Sequence, residues 1–137
     1  MKKIPLRKQG KSATSQAKQR IQALLRQIVI KRDKTCILRH IRQCEDSVLQ
    51  ADHLITRANS ATFADLRLVV CLCRSCHGGF KQWHKEQYDA LVKTILPKDR
   101  VKLWEKCQAD SWIPKRTSAY DWRIAEAVLN QELKKYN

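Results

Sequence analysis

The sequence predicts an α+β fold that is mostly helical: a compact ββα unit, stapled by a metal, held between an N-terminal helix and C-terminal helices. Three observations carry that prediction. Apolar residues recur at helical spacing towards both ends of the chain, two short β-prone pieces lie between those regions, and two cysteine pairs, Cys36 with Cys44 and Cys73 with Cys76, bracket the β-prone pieces. At 137 residues the chain has room for one folding unit with extensions, not for two domains with separate cores.

Residues 1–14 place Lys2, Lys3, Arg7, Lys8 and Lys11 among Gly, Ser, Thr and Pro. Such a composition buries too little apolar surface to order itself and reads as a flexible basic arm. Ser15 is a suitable N-cap for a basic amphipathic helix over 15–32, with Ile21, Leu24, Leu25 and Ile28 on one face and Lys18, Arg20, Arg26 and Gln27 on the other. The stapled core is predicted over 33–96. Within it, Val48-Leu49-Gln50-Ala51 and Leu68-Val69-Val70-Cys71-Leu72 read as strands, separated by the polar, irregular stretch from Thr56 to Asp65. The helical period returns from Gln82 to Leu96, where Tyr88, Leu91, Val92 and Ile95 share a face until Pro97 stops it. A helical extension over 97–137 holds one helix from about Lys98, with Val101, Leu103, Trp104 and Cys107 apolar, and a last helix from Tyr120 to Lys135.

Lys and Arg outnumber Asp and Glu by 28 to 13, giving a formal net charge of +15. That excess goes beyond what solubility needs and points to a polyanionic partner: DNA, RNA or an acidic membrane surface. Membrane is the weakest of these, because no apolar run approaches the roughly 20 residues that span a bilayer. The opening Met1-Lys2-Lys3-Ile4-Pro5 also lacks the apolar core of a secretory signal. A cytoplasmic location is therefore expected, and in that reducing compartment six cysteines are metal ligands before they are disulfides.

Cys73 and Cys76 form a C-x-x-C knuckle, and thiolates so placed suit tetrahedral Zn²⁺. The pair Cys36 and Cys44 is looser, since seven residues intervene and His40 is an alternative to Cys44. Cys71, alternating with Cys73, and Cys107, on an apolar helical face, read as buried small side chains instead. Inside the staple lie Asp52-His53, and His77 directly follows the last knuckle cysteine. A carboxylate and an imidazole, Asp52 and His77, can converge on a divalent cation. His53 points to the opposite face of its strand from Asp52 and is left to deprotonate water. His40 and His84, without such company, read as structural.

Arg57 and Arg74 are placed to touch phosphates near this site, and Lys81, Lys85 and Lys93 lie on what reads as an exposed helix face. Together the basic residues imply salt-sensitive, mostly sequence-independent binding to a DNA backbone. Nothing resembles a base-reading helix, so DNA shape is the expected basis of selectivity. Trp83, Trp104, Trp112 and Trp122 are of a type that stacks on exposed bases, although Trp104 and Trp122 fall on apolar helical faces and read as packing.

The run Leu49-Gln50-Ala51-Asp52-His53, then Leu72-Cys73-Arg74-Ser75-Cys76-His77, preceded by Cys36 and Cys44, resembles the zinc-containing branch of the HNH (ββα-metal) endonucleases over about residues 32–80. The basic helix before Arg32-Asp33 and the region from Trp112 to Leu133 are similar to the lambdoid phage recombination nucleases NinG or Rap. Carried over position by position, the resemblance implies His53 as general base and Asp52 with His77 as ligands of a catalytic Mg²⁺ or Mn²⁺. It makes Cys36, Cys44, Cys73 and Cys76 a structural zinc site. The implied activity is metal-dependent hydrolysis of phosphodiester bonds in branched or otherwise non-B-form DNA during phage recombination and DNA processing, alongside a recombinase or repair partner. One position departs from the pattern: the middle Asn, usually five residues before the first knuckle cysteine, is Leu68 here. Asn59 and Asp65, both in the loop, are alternative substitutes. With Leu68 as the mark of lost catalysis, the alternative is a zinc-stapled nucleic-acid-binding module that acts as a recombination accessory.

Overall fold

The structure, a computed structural model, describes residues 13–42, 44, 47–57, 62–110 and 122–137. Helix α1 spans Ala13–Asp33. Ala13, a strong helix former, opens it before Ser15, so Ser15 lies inside the helix and is not its N-cap. Residues 1–12 of the expected basic arm lie outside the described residues. The helix ends where Lys34 takes a φ of 67°, the left-handed conformation that lets its amide donate to the Ile30 carbonyl at 2.8 Å and reverses the chain.

Strand β1, Leu49–His53, pairs antiparallel with β2, Val69–Cys73, setting Leu49 opposite Cys73, Asp52 opposite Val70 and His53 opposite Val69. The first strand thus runs past Ala51 to include the Asp-His pair. Leu68, expected to start the second strand, closes a 3₁₀ turn over Leu66–Leu68 instead, because the Asp65 carboxylate accepts the Arg67 amide at 3.0 Å and caps that turn. After β2 comes a wide π-type turn, Cys76–Phe80, then the short helix α2, Lys81–Trp83. Helix α3, Lys85–Ile95, follows a break at His84, whose φ of −136° is not helical. The expected continuous helix from Gln82 is therefore two pieces with a bend between them. Helix α4 covers Lys98–Asp110 and α5 covers Trp122–Lys134; Tyr120, the expected start of the last helix, is outside the described residues.

Strand β2 is buried along its whole length, with a core on each face. On one side Val69 and Cys71 pack with Ile21, Leu25, Ile28 and Val29 of α1, Phe63 of the loop, and Ala125 and Leu129 of α5. On the other, Val70 and Leu72 pack with Leu38, Leu54, Tyr88, Val92 and Trp104, beside Cys36, Cys73 and Cys76. A bare ββα unit has little core of its own, and Trp104 of α4 fills it here.

The two outer edges of the sheet are treated differently. On β2, Arg32 donates to the Val69 carbonyl at 2.6 Å, Asp33 accepts the Cys71 amide at 3.0 Å, and the Ile37 amide reaches the Cys71 carbonyl at 3.0 Å, so α1 and its turn close that edge. On β1 the carbonyls of Leu49 and His53 accept from Arg26 at 3.2 Å and Lys81 at 3.1 Å, and beside these cations the edge opens into a cavity. Among the described residues no helix is long and apolar enough to cross a membrane.

Candidate active site and metal centre

Cys36 and Cys44 leave the turn after α1, while Cys73 ends β2 and Cys76 opens the π-type turn. Their four sulfurs lie within 4.8 Å of one another, with Cys44 and Cys76 at 3.5 Å. Sulfurs around a tetrahedral zinc, each about 2.3 Å from the ion, stand about 3.8 Å apart, so the cluster fits a metal ion such as Zn²⁺. His40 is exposed and outside the group, and Cys44 takes the position that sequence left open between the two. Burial pushes Cys44 up to about 11 and Cys76 higher still. For Cys73 burial acts the same way but is outweighed by the Ser75 hydroxyl and the Cys76 amide, which hold it down to about 7. A dication held by the four sulfurs would favour the thiolate at every position. Arg42 adds positive charge from beside the cluster, with its guanidinium 3.8 Å above the Phe80 ring and 4.0 Å from the Cys76 sulfur. Cys71 is buried and Cys107 half-buried, both outside the cluster.

The β1 edge opens into a cavity of about 460 Å³ lined by Asp52, His53, Arg57, His77 and Lys81, with Gln22 and Arg26 supplied by α1. Alternation along β1 sends Asp52 towards α3 and His53 towards Phe63, and the cavity wraps the strand edge to reach both. His53 is 8% exposed, stacks on the Phe63 ring at 5.1 Å, and has Nε2 2.9 Å from the Phe63 carbonyl. Burial pushes its pKa below the usual histidine range, and this outweighs the opposing pull of the Phe63 carbonyl and Asp52. A carbonyl oxygen can only accept, so the neutral ring carries its proton on Nε2 and keeps a lone pair on Nδ1.

Asp52, 2% exposed, is held on three sides. Oδ2 accepts from the Tyr88 hydroxyl at 2.7 Å, while Oδ1 lies 3.2 Å from His77 Nε2 and 2.5 Å from Lys81 Nζ. Burial alone would raise its pKa, but His77, Lys81 and Tyr88 together hold it below the usual carboxylate value. Neighbouring ligands of an octahedral Mg²⁺ stand roughly 3 Å apart. The Asp52–His77 spacing fits one such ion, and the Lys81 ammonium already sits on the oxygen that would bind it.

The expected phosphate contacts separate into different places. Arg57 is exposed at the cavity mouth. Lys81, expected on an exposed face, is turned inward onto Asp52 and the His53 carbonyl, because the π-type turn rotates the start of α2 over the β1 edge. Lys85 pairs with Asp89 at 2.6 Å and lines a neighbouring cavity of about 360 Å³ with His77, Gly78, Lys81 and Gln82. Arg74 is exposed on the knuckle and does not line the His53 cavity. Lys93 donates to Gln108 at 3.2 Å and sits 5.1 Å over the Trp104 ring. Trp104 is fully buried, Trp122 meets the Phe63 edge at 5.7 Å, Trp83 is 78% exposed, and Trp112 lies outside the described residues.

Leu68 packs in the core on the Asp52 side, and the acceptor that orients His53 is the main-chain carbonyl of Phe63. Asp65 is committed to Arg67 and does not substitute for the missing Asn, while Asn59 is outside the described residues. Sequence reasoning missed Tyr88, read only as an apolar position, and Gln22, whose buried Oε1 has no hydrogen-bond partner among the described residues. The need of a buried tyrosine hydroxyl for a partner was the available signal for the first. For the second it was the i,i+4 spacing of Gln22 and Arg26, which stacks them on one side of α1.

No family model, curated protein or solved structure matches this chain.

Proposed function

We propose that this protein is a metal-dependent DNA endonuclease of the HNH type, with Zn²⁺ in its four-cysteine cluster, acting on branched or otherwise non-B-form DNA in phage recombination or DNA processing. The observation that carries this reading is one cavity whose lining, wrapped around the β1 edge, brings together a neutral, carbonyl-oriented His53 and the Asp52–His77 pair, with Arg26 and Arg57 at its walls. Hydrolysis of a phosphodiester needs a deprotonated water in line with the leaving oxygen and positive charge on the phosphoryl oxygens. His53 takes the proton on Nδ1, and the Phe63 carbonyl steadies the ring as it becomes cationic. Arg57 and Arg26 bring fixed charge to the phosphate. Asp52 and His77 would hold a Mg²⁺ or Mn²⁺, which would supply Lewis acidity at the phosphate.

The test is cleavage of labelled branched, duplex and single-stranded DNA with Mg²⁺ or Mn²⁺, by the intact protein and by His53→Ala of equal zinc content. Metal-dependent cutting that falls about 10²- to 10⁴-fold in the variant is expected. Cutting that persists undiminished in His53→Ala would overturn the assignment of the base. Leu68 in the core and Lys81 on Asp52 favour one other reading, a zinc-stapled binding module that grips DNA as a recombination accessory and cuts nothing. It predicts retained DNA binding with no cleavage of any substrate.

A further inference from the structure

The Lys81 ammonium holds the Asp52 oxygen that a divalent ion would need. Its Nζ is 2.5 Å from Asp52 Oδ1 and 3.1 Å from the His53 carbonyl, beside the His77 Nε2 that shares the same oxygen. A carboxylate that is 2% exposed is costly to bury without a counter-charge, and Lys81 supplies it in the ion-free protein. A divalent ion held by Asp52 would place its charge beside the ammonium on the same oxygen, and the two cations would repel each other there.

From this we infer that Lys81 is a resident cation that competes with the divalent ion for Asp52, and that ion binding expels it into the neighbouring cavity. The inference rests on reading Asp52 and His77 as an ion-binding pair. Lys81 lines both the 460 Å³ cavity of His53 and the 360 Å³ cavity of Lys85, and its flexible four-carbon stem spans the wall between them. Once displaced, its ammonium joins Lys85 beside the open backbone of Gly78, where an added Cβ would meet nothing within 4 Å. A DNA phosphate is the anion that suits that second position. Lys81 is thus a positioning residue that trades a carboxylate for a phosphate as the ion enters.

The experiment is a calorimetric titration of the zinc-loaded full chain with Mn²⁺ alone, for the wild type, Lys81→Met and the double variant Lys81→Met/Asp52→Asn. Zinc content and circular dichroism confirm the fold, and Lys81→Gln takes the place of Lys81→Met if the latter fails that check. Removal of the competitor is expected to tighten Mn²⁺ binding by about tenfold or more, with binding lost again in the double variant. Equal or weaker binding in Lys81→Met overturns the inference and leaves the nuclease reading standing. Absence of Mn²⁺ binding in both the wild type and Lys81→Met overturns the inference together with the ion site, and cleavage in chelator then decides whether the nuclease reading survives without it.

Discussion

Tyr88 donates to Asp52 from the fully buried floor of the site, across 36 positions of sequence. Removing one hydroxyl there leaves a carboxylate oxygen without its donor in a place that water reaches poorly. Such a loss costs about 1–3 kcal/mol, more than the mean worth of a hydrogen bond, because the desolvation of the remaining group is no longer offset. Tyr88→Phe keeps the ring that packs against Phe80. It is therefore expected to lower urea-unfolding stability by that amount with zinc content unchanged, and a change under about 0.5 kcal/mol would mean that Asp52 does not depend on this donor. Residue identities were the most legible part of the molecule: Asp52, His53, His77, Cys36, Cys73 and Cys76 read from the chain, with Cys44 left open against His40, and the structure brings the first three to one cavity and the four sulfurs to one cluster. Their partners did not read. The Phe63 carbonyl is a main-chain atom that no side-chain pattern announces, and the inward turn of Lys81 depends on a wide helical turn that begins five residues before it.

At the scale of elements, α1 is fastened to the sheet by its last two residues. Arg32 donates to the carbonyls of Leu66 at 2.7 Å and Val69 at 2.6 Å and pairs with Asp33, which in turn holds the Cys71 amide. Arg32→Ala strips several acceptors at once, although Arg100, 3.1 Å from the Val69 carbonyl, still covers one of them. A loss of about 2–3 kcal/mol in denaturant unfolding is expected. The four-cysteine cluster, which could hold a metal ion, lies at the far end of β2. If Zn²⁺ fills it, chelation would leave three buried cysteines and one half-buried one around an empty centre, and should cost at least about 4 kcal/mol of stability, read as a fall in melting temperature that restored Zn²⁺ reverses. The existence and type of the helices and strands were legible because each has an apolar period to bury. Their ends were not, since these are set by local competitors: the Asp65 cap that takes Leu68 from the strand, and the non-helical His84 that splits the helix after the knuckle.

Across the whole molecule, a formal charge of +15 predicts association with a polyanion but says nothing of where on the surface it takes place. The proposed DNA contact has a candidate place in the fold: α1 and α5, joined by Arg20 and Glu126 at 3.0 Å, cover one face of the sheet, and Arg26, Arg57, Lys81 and Lys85 gather around the open β1 edge. If DNA lies along that edge, each phosphate contact releases close to one counter-ion. With Lys81 held on Asp52 in the absence of divalent ions, Arg26, Arg57 and Lys85 remain, and the logarithm of the binding constant for duplex DNA should then fall with the logarithm of salt concentration with a slope of about −3 or steeper. Arg26→Ala and Arg57→Ala are each expected to make that slope shallower by about one, while His53→Ala, which removes a neutral ring, should leave it unchanged. Fluorescence anisotropy across a salt series, in the absence of divalent ions so that no strand is cut, measures all four proteins. A slope unaffected by either arginine would move the DNA contact away from the β1 edge, whereas loss of one unit per arginine, with none for His53, would separate the charge that holds DNA from the base assigned to cutting it.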